Sequence, residues 1–159
     1  MNMKTMNYIN LPESETKNII DSLQLLLADL QIYYTNLRSF HWNIHGKKFF
    51  KLHDKFEEMY DVVADQIDEV AERILMLGGV PENKFTNYLK VARIKEVGSL
   101  GDSKETVKNT LDTLGHLITE ERKIFVAAGE IDDEVTASIM SDYLNEQEKL
   151  VWMFTAYLS

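Results

Sequence analysis

Residues 49–77 read FFKLHDKFEEMYDVVADQIDEVAERILML, an uninterrupted run without glycine or proline that stops at Gly78-Gly79-Val80-Pro81. With successive residues about 100° apart and His53 set to zero, Leu52, Phe56, Met59, Val63, Val70, Ile74 and Leu77 fall between about 240° and 300°, and Ile67 near about 320°. One apolar stripe at this period predicts a long amphipathic helix. His53, Glu57, Asp61, Asp65, Asp68 and Glu72 fall between about 0° and 120°, an acidic stripe beside the apolar one.

The same period continues on both sides. Upstream, Glu13 and Glu15 suit a first helical turn after Pro12, where the dipole is positive. Ile19, Leu23, Leu26, Leu27, Leu30, Tyr34 and Leu37 then recur at helical spacing up to about residue 43, before Gly46 breaks the pattern. Downstream, residues 81–101 make a connection too long for a tight turn, with a short amphipathic piece over 85–94. Asp102-Ser103-Lys104-Glu105 resembles a capping box and opens a third long helix, with Val107, Leu111, Leu114, Ile118 and Phe125 on its apolar face and Gly129 at its end. A fourth opens at Asp132-Asp133-Glu134 and carries Val135, Ile139, Tyr143, Leu150, Val151, Phe154 and Leu158. Short loops join helices one to two and three to four, and one long crossover joins two to three, the ferritin-like arrangement of a four-helix bundle. The expected fold is therefore all-α, a ferritin-like four-helix bundle with a short extra helix in the crossover. Residues 1–13 are expected to be a polar tail and 14–159 the bundle domain.

A chain of 159 residues suits one domain with a core of its own. Lys and Arg total 17 against 26 Asp and Glu, for a formal charge of −9. That balance argues against a surface built for nucleic acid or anionic lipid, and is compatible with gathering cations. The absence of cysteine excludes disulfides, thiolate nucleophiles and Cys-ligated clusters. The first residues lack the apolar core of a signal peptide, and no run approaches the ~18 apolar residues of a membrane span, so a soluble, cytoplasmic protein is expected.

Most acidic stripes are solvated helix faces. Here histidine adds a second reading. His53 and Glu57 stand one turn apart on one face, where imidazole and carboxylate can reach one metal. His41 ends the first helix at the same end of the hairpin, and Asp68 and Glu72 form a second pair at the same spacing. Glu57 and Asp68 point almost the same way but lie about 16 Å apart along the axis, too far for a single centre with bonds near ~2 Å. Either the two pairs are unrelated, or each completes a site on another copy of the chain, with two antiparallel helices about a two-fold axis. An in-bundle diiron site needs Glu-x-x-His pairs, and no Glu-x-x-His occurs in the chain.

Phe40-His41-Trp42-Asn43-Ile44-His45-Gly46, Phe49-Phe50-Lys51-Leu52-His53, Asp68-Glu69-Val70-Ala71-Glu72-Arg73-Ile74 and the C-terminal Trp152-Met153-Phe154 resemble the Dps family of miniferritins. The resemblance spans about residue 15 to the end. It implies a hollow homododecamer that binds iron(II) at sites shared across two-fold interfaces, oxidises it with hydrogen peroxide, and stores the iron(III) mineral, protecting the cell from oxidative damage. His41, His53 and Glu57 would come from one subunit and Asp68 and Glu72 from its neighbour, with room for two irons at each intersubunit site. Glu57 stands where many members have Asp, which keeps the carboxylate and alters its reach. Trp42 sits beside the family's site, as a reporter on it or an interface aromatic. Imidazole and carboxylate suit iron(II), and zinc or manganese could take the same ligands.

Family shells admit iron through acidic pores near the start of the last helix. Here Glu130, Asp132, Asp133 and Glu134 could supply that field, although Ser138 stands where some members place another Asp, and helix capping accounts for Asp132 and Asp133 equally well. The alternative reading is a DNA-compacting starvation protein with secondary metal binding. Some members bind DNA through Lys-rich tails, but Lys4 and Lys17 are little counter-charge for an acidic shell, so no tight DNA binding is expected. His45 and His116 are expected to be structural or surface residues.

Overall fold

The computed structural model describes residues 5–159; residues 1–4, with Lys4 of the expected tail, lie outside them. In chain order the elements are α1 (Met6–Ile9), α2 (Glu13–Asn43), α3 (Phe49–Met76), α4 (Phe85–Val91), α5 (Ser103–Glu130) and α6 (Glu134–Leu158), with no strand among the described residues. α2 packs along α3 and α5 along α6, each pair an antiparallel hairpin; α2 also contacts α5, and the crossover helix α4 lies on α2. This is the expected ferritin-like bundle with its extra short helix. Among the described residues, no helix is long and apolar enough to cross a membrane.

The apolar stripe of α3 is the face that packs inward. Leu52, Phe56, Met59, Val63, Val70, Ile74 and Leu77 are buried, while Ile67, at the edge of the stripe, is only partly so. In α5 and α6 the buried faces depart from the expected ones: Phe125, Val135 and Leu158 are exposed, whereas Ile124, Thr136, Glu121 and Gln147 turn inward. In the pairs Ile124/Phe125 and Val135/Thr136 the neighbour of the expected residue faces the core, and following apolar residues alone overlooks polar ones at core positions.

The N-terminal stretch also differs from the irregular tail expected. α1 forms one helical turn, Asn10 takes a left-handed conformation at φ 56°, and Ile9 and Leu11 pack against the core. These two apolar residues dock an otherwise polar stretch.

Two buried acids fix the crossover and the second hairpin. Asp29 on α2 accepts hydrogen bonds from Arg93 N (2.6 Å), Arg93 Nε (3.0 Å) and Ile94 N (3.3 Å) in the crossover, and from His116 Nε2 (2.9 Å) on α5. His116 is thus a structural residue, a donor to a buried carboxylate. Asp133 caps α6 through Thr136 N (3.0 Å) and meets the Arg73 guanidinium of α3 at 2.6 Å. The crossover returns to the first hairpin at Gly101, whose carbonyl accepts from His45 N at 3.2 Å. A Cβ at Gly101 would stand 2.4 Å from the Asn43 carbonyl oxygen, so the approach needs glycine.

Candidate metal centre

The reversal between α2 and α3 is short because Gly46 takes φ +90°, and it brings the last turn of one helix against the first turns of the next. The result is a reciprocal pair. His41 Nδ1–H donates to the His53 carbonyl at 2.8 Å, and His53 Nδ1–H donates to the His41 carbonyl at 2.9 Å. A carbonyl oxygen only accepts, so both Nδ1 atoms carry a proton, and in the neutral rings the lone pairs are those of the Nε2 atoms. The His41 carbonyl needs a donor from outside its helix, because Ile44 N bonds to Phe40 O and His45 N turns away to Gly101. His53 supplies it.

The rings stack at 3.8 Å between centroids, 20° from parallel. Phe49 stacks on the far face of the pair against His53 (5.0 Å), and Tyr60 meets His41 edge-on at 5.4 Å. Held this way, the imidazoles lose little freedom on taking a ligand. Glu57, exposed and one turn beyond His53, completes a set in which one ligand atom from each of His41, His53 and Glu57 lies within 4.8 Å of the others. Two imidazoles and a carboxylate are donors suited to a first-row divalent metal.

The acidity of this face is felt by Tyr60, whose phenol is pushed above its ordinary range by burial first and then by the negative charges of Glu57 and Asp61, with Arg38 opposing. Tyr60 was not among the residues singled out from the sequence, although it lies three positions after Glu57 and seven after His53, on the same helical face. Trp42 is 64% exposed, with the Arg38 guanidinium 4.7 Å from its ring centroid.

Asp68 and Glu72 are exposed on α3, about four to five turns from His53, and the chain does not bring them to the histidine pair. Glu130, Asp132 and Glu134 are exposed around the α5–α6 turn, Asp132 at φ 59°. Asp133 is not available to a pore in the way its neighbours are: it is 2% exposed, and its oxygens are taken by Arg73 and Thr136. Of the two readings open for Asp133, capping is the one its geometry follows.

Comparison with known proteins places this chain in a family. The family model of the ferritin-like domain matches residues 20–159. A DNA protection during starvation protein of Porphyromonas gingivalis is 53% identical over 154 residues, 97% of each chain. The chain belongs to the Dps family of ferritin-like proteins. Among Dps structures, that of Vibrio cholerae, described as a member of a broad superfamily of ferritin-like diiron-carboxylate proteins, is similar at a TM-score of 0.94 with 44% identity over 100% of both chains. The Dps protein of Bacillus brevis follows at 0.88 and 35% identity, over 92% of this chain and 98% of that one.

Proposed function

We propose that this Dps-family chain is a ferroxidase and iron store. Iron(II) is its substrate, gathered by His41, His53 and Glu57 of one copy and by Asp68 and Glu72 of a second, across the two-fold interfaces of a dodecamer. The observation that carries the reading is the reciprocal imidazole-to-carbonyl pair, which presents two Nε2 lone pairs beside Glu57. A chain that presets half a ligand set and holds further carboxylates on the same helix beyond reach of it needs a partner to complete each site.

In the reaction, two iron(II) ions each lose one electron. Hydrogen peroxide takes both electrons and two protons and leaves as two waters. Pairing the electrons avoids release of hydroxyl radical, and iron(III) is stored as mineral inside the shell. The carboxylates of Glu57, Asp68 and Glu72 offset the charge of two cations.

Sharing gives a numerical test. One variant carries His41→Ala/His53→Ala and another carries Asp68→Asn/Glu72→Gln. Each alone should be inactive. Co-expressed in equal amounts, half the two-fold pairs are mixed, and each mixed pair has one intact and one doubly broken site, so about a quarter of wild-type peroxide-dependent oxidation returns. Native mass spectrometry verifies the mixing. A mixed shell no more active than its parents would remove the shared-site reading.

A further inference from the structure

The crossover between α4 and α5 reaches the end of α2 that carries His41. Asn36 of α2, 3% exposed, bridges it, donating to the Lys95 carbonyl at 2.8 Å and accepting from Val97 N at 3.1 Å. One turn on, the Ser39 hydroxyl donates to the Gly98 carbonyl at 2.8 Å. Residues 95–101 are thereby laid along the last turns of α2, and Gly101 arrives against its end. There its carbonyl accepts the His45 N–H at 3.2 Å. It also lacks the Cβ that would meet the Asn43 carbonyl oxygen at 2.4 Å and the His45 ring at 2.8 Å.

Both contacts bear on how α2 ends. Ile44 leaves the helix at φ −54°, ψ 141°, and the next N–H, that of His45, points out to Gly101. Were α2 to run further, the same N–H would fall on the His41 carbonyl, four residues back, as an ordinary helical bond. That carbonyl is the acceptor of His53 Nδ1–H at 2.9 Å. A neutral imidazole carries one proton, and the nitrogen that has an acceptor keeps it. With the His41 carbonyl open, the proton stays on His53 Nδ1 and Nε2 is bare. With that carbonyl shared with or lost to His45, the proton is free to sit on Nε2, where it blocks a cation.

The turn at Gly46 brings the two histidines together; which His53 nitrogen is left bare is a separate matter. We propose that Gly101 is a positioning residue of the metal centre: by drawing the His45 N–H away from α2 it leaves the His41 carbonyl to His53, and so sets which His53 nitrogen faces a cation. The assignment rests on the reading of His41 and His53 as iron(II) ligands. Its first consequence, the tautomer of His53, exists without any metal.

Solid-state NMR of the assembled, metal-free protein labelled with nitrogen-15 histidine reads that tautomer, at mildly alkaline pH where a free imidazole is neutral. The His53 signals are those lost in His53→Ala. Wild type should show a protonated Nδ1 and a bare Nε2. Gly101→Ala should place the proton on His53 Nε2 in a large share of chains, and its affinity for zinc(II) alone, by calorimetry, should fall at least about tenfold. Adding His45→Pro tells whether Gly101 acts through the N–H. Proline has no N–H to offer His41, and it favours the extended Ile44 already present. Its ring also stands where the N–H pointed and presses on residue 101. A packing role for Gly101 therefore calls for further loss in Gly101→Ala/His45→Pro, whereas return of the Nδ1–H tautomer and of most zinc affinity is expected here. A wild-type His53 protonated on Nε2 overturns the proposal, even if Gly101→Ala fails to fold. So does a Gly101→Ala protein with the wild-type tautomer and zinc affinity, or a double variant no better than Gly101→Ala. The expected tautomers and rescue in a protein that oxidises no iron(II) would support this assignment and remove the ferroxidase reading alone.

Discussion

The α2–α3 hairpin holds Glu57 exposed beside two imidazoles, whereas the α5–α6 hairpin turns Glu121 inward, where the Gln147 amide donates its hydrogen bond. The two carboxyls sit in bundle halves of the same design and meet opposite conditions. Glu57 lies open to solvent beside the two imidazoles, where a cation could reach it. Burial without a cationic neighbour raises Glu121 to about 8 and leaves it mostly neutral. An interior metal centre would need histidines that neither α5 nor α6 places beside Glu121; the group that could hold a metal, His41, His53 and Glu57, is on the first hairpin instead.

The sharpest way to break that contrast is to disable each half in turn. His41→Ala/His53→Ala should reduce peroxide-dependent iron(II) oxidation to the rate of iron alone, in stopped-flow absorbance of iron(III). Glu121→Gln, nearly isosteric and remote from the imidazoles, should stay within about twofold of wild type. A large loss of oxidation in Glu121→Gln would move the chemistry to the bundle interior.

Stability should separate the hairpins next. Asp133 and Arg73 are a buried pair, at 2% and 6% exposed, joining the start of α6 to α3. Asp133→Ala strands the guanidinium and removes the α6 cap, so a loss of about 3–5 kcal/mol is expected in urea unfolding, with the oxidation rate per folded chain retained. Replacing both partners with apolar residues should recover much of the loss.

The pH dependence has a defined sign. Glu121 has an ordinary value of 4.5 and a folded value of about 8, so the folded chain binds the proton more tightly than the unfolded one. Its favourable contribution is therefore complete below 4.5 and is lost as pH rises through about 8. Glu121→Gln should flatten this fall and make the variant more stable at alkaline pH, by on the order of 3 kcal/mol in chemical unfolding.

Legibility in the sequence follows the same division. The α2–α3 hairpin could be read closely, because a strong apolar stripe sets which way α3 faces and the short turn at Gly46 fixes which residues meet. The assembly of His41, His53 and Glu57 depends on little else. Asp68 and Glu72 are visible as a pair, but their proposed role belongs to an interface outside one chain. The α5–α6 hairpin was less legible because its inward positions include Glu121, Thr136 and Gln147, which an apolar pattern passes over. Asp29 as the anchor of the crossover and Asp133 as the partner of Arg73 depend on contacts 60 or more residues apart, which spacing along one helix does not encode.

The smallest expected effect probes the field on the outer face directly. Burial raises the Tyr60 phenol most, with Glu57 and then Asp61 adding to it. Glu57→Gln removes one of these negative charges but none of the burial, so Tyr60 should move down only part of the way toward its ordinary value. Subtracting the alkaline absorbance titration of Tyr60→Phe isolates this phenol from the other tyrosines, and the same subtraction made in a Glu57→Gln background gives the shift. A downward movement places the Glu57 charge beside the His41–Tyr60 contact, where a cation held by the imidazoles would meet it. An unmoved phenol would mean that the Glu57 carboxylate points into solvent, and His41 and His53 would then lack their nearest acidic partner.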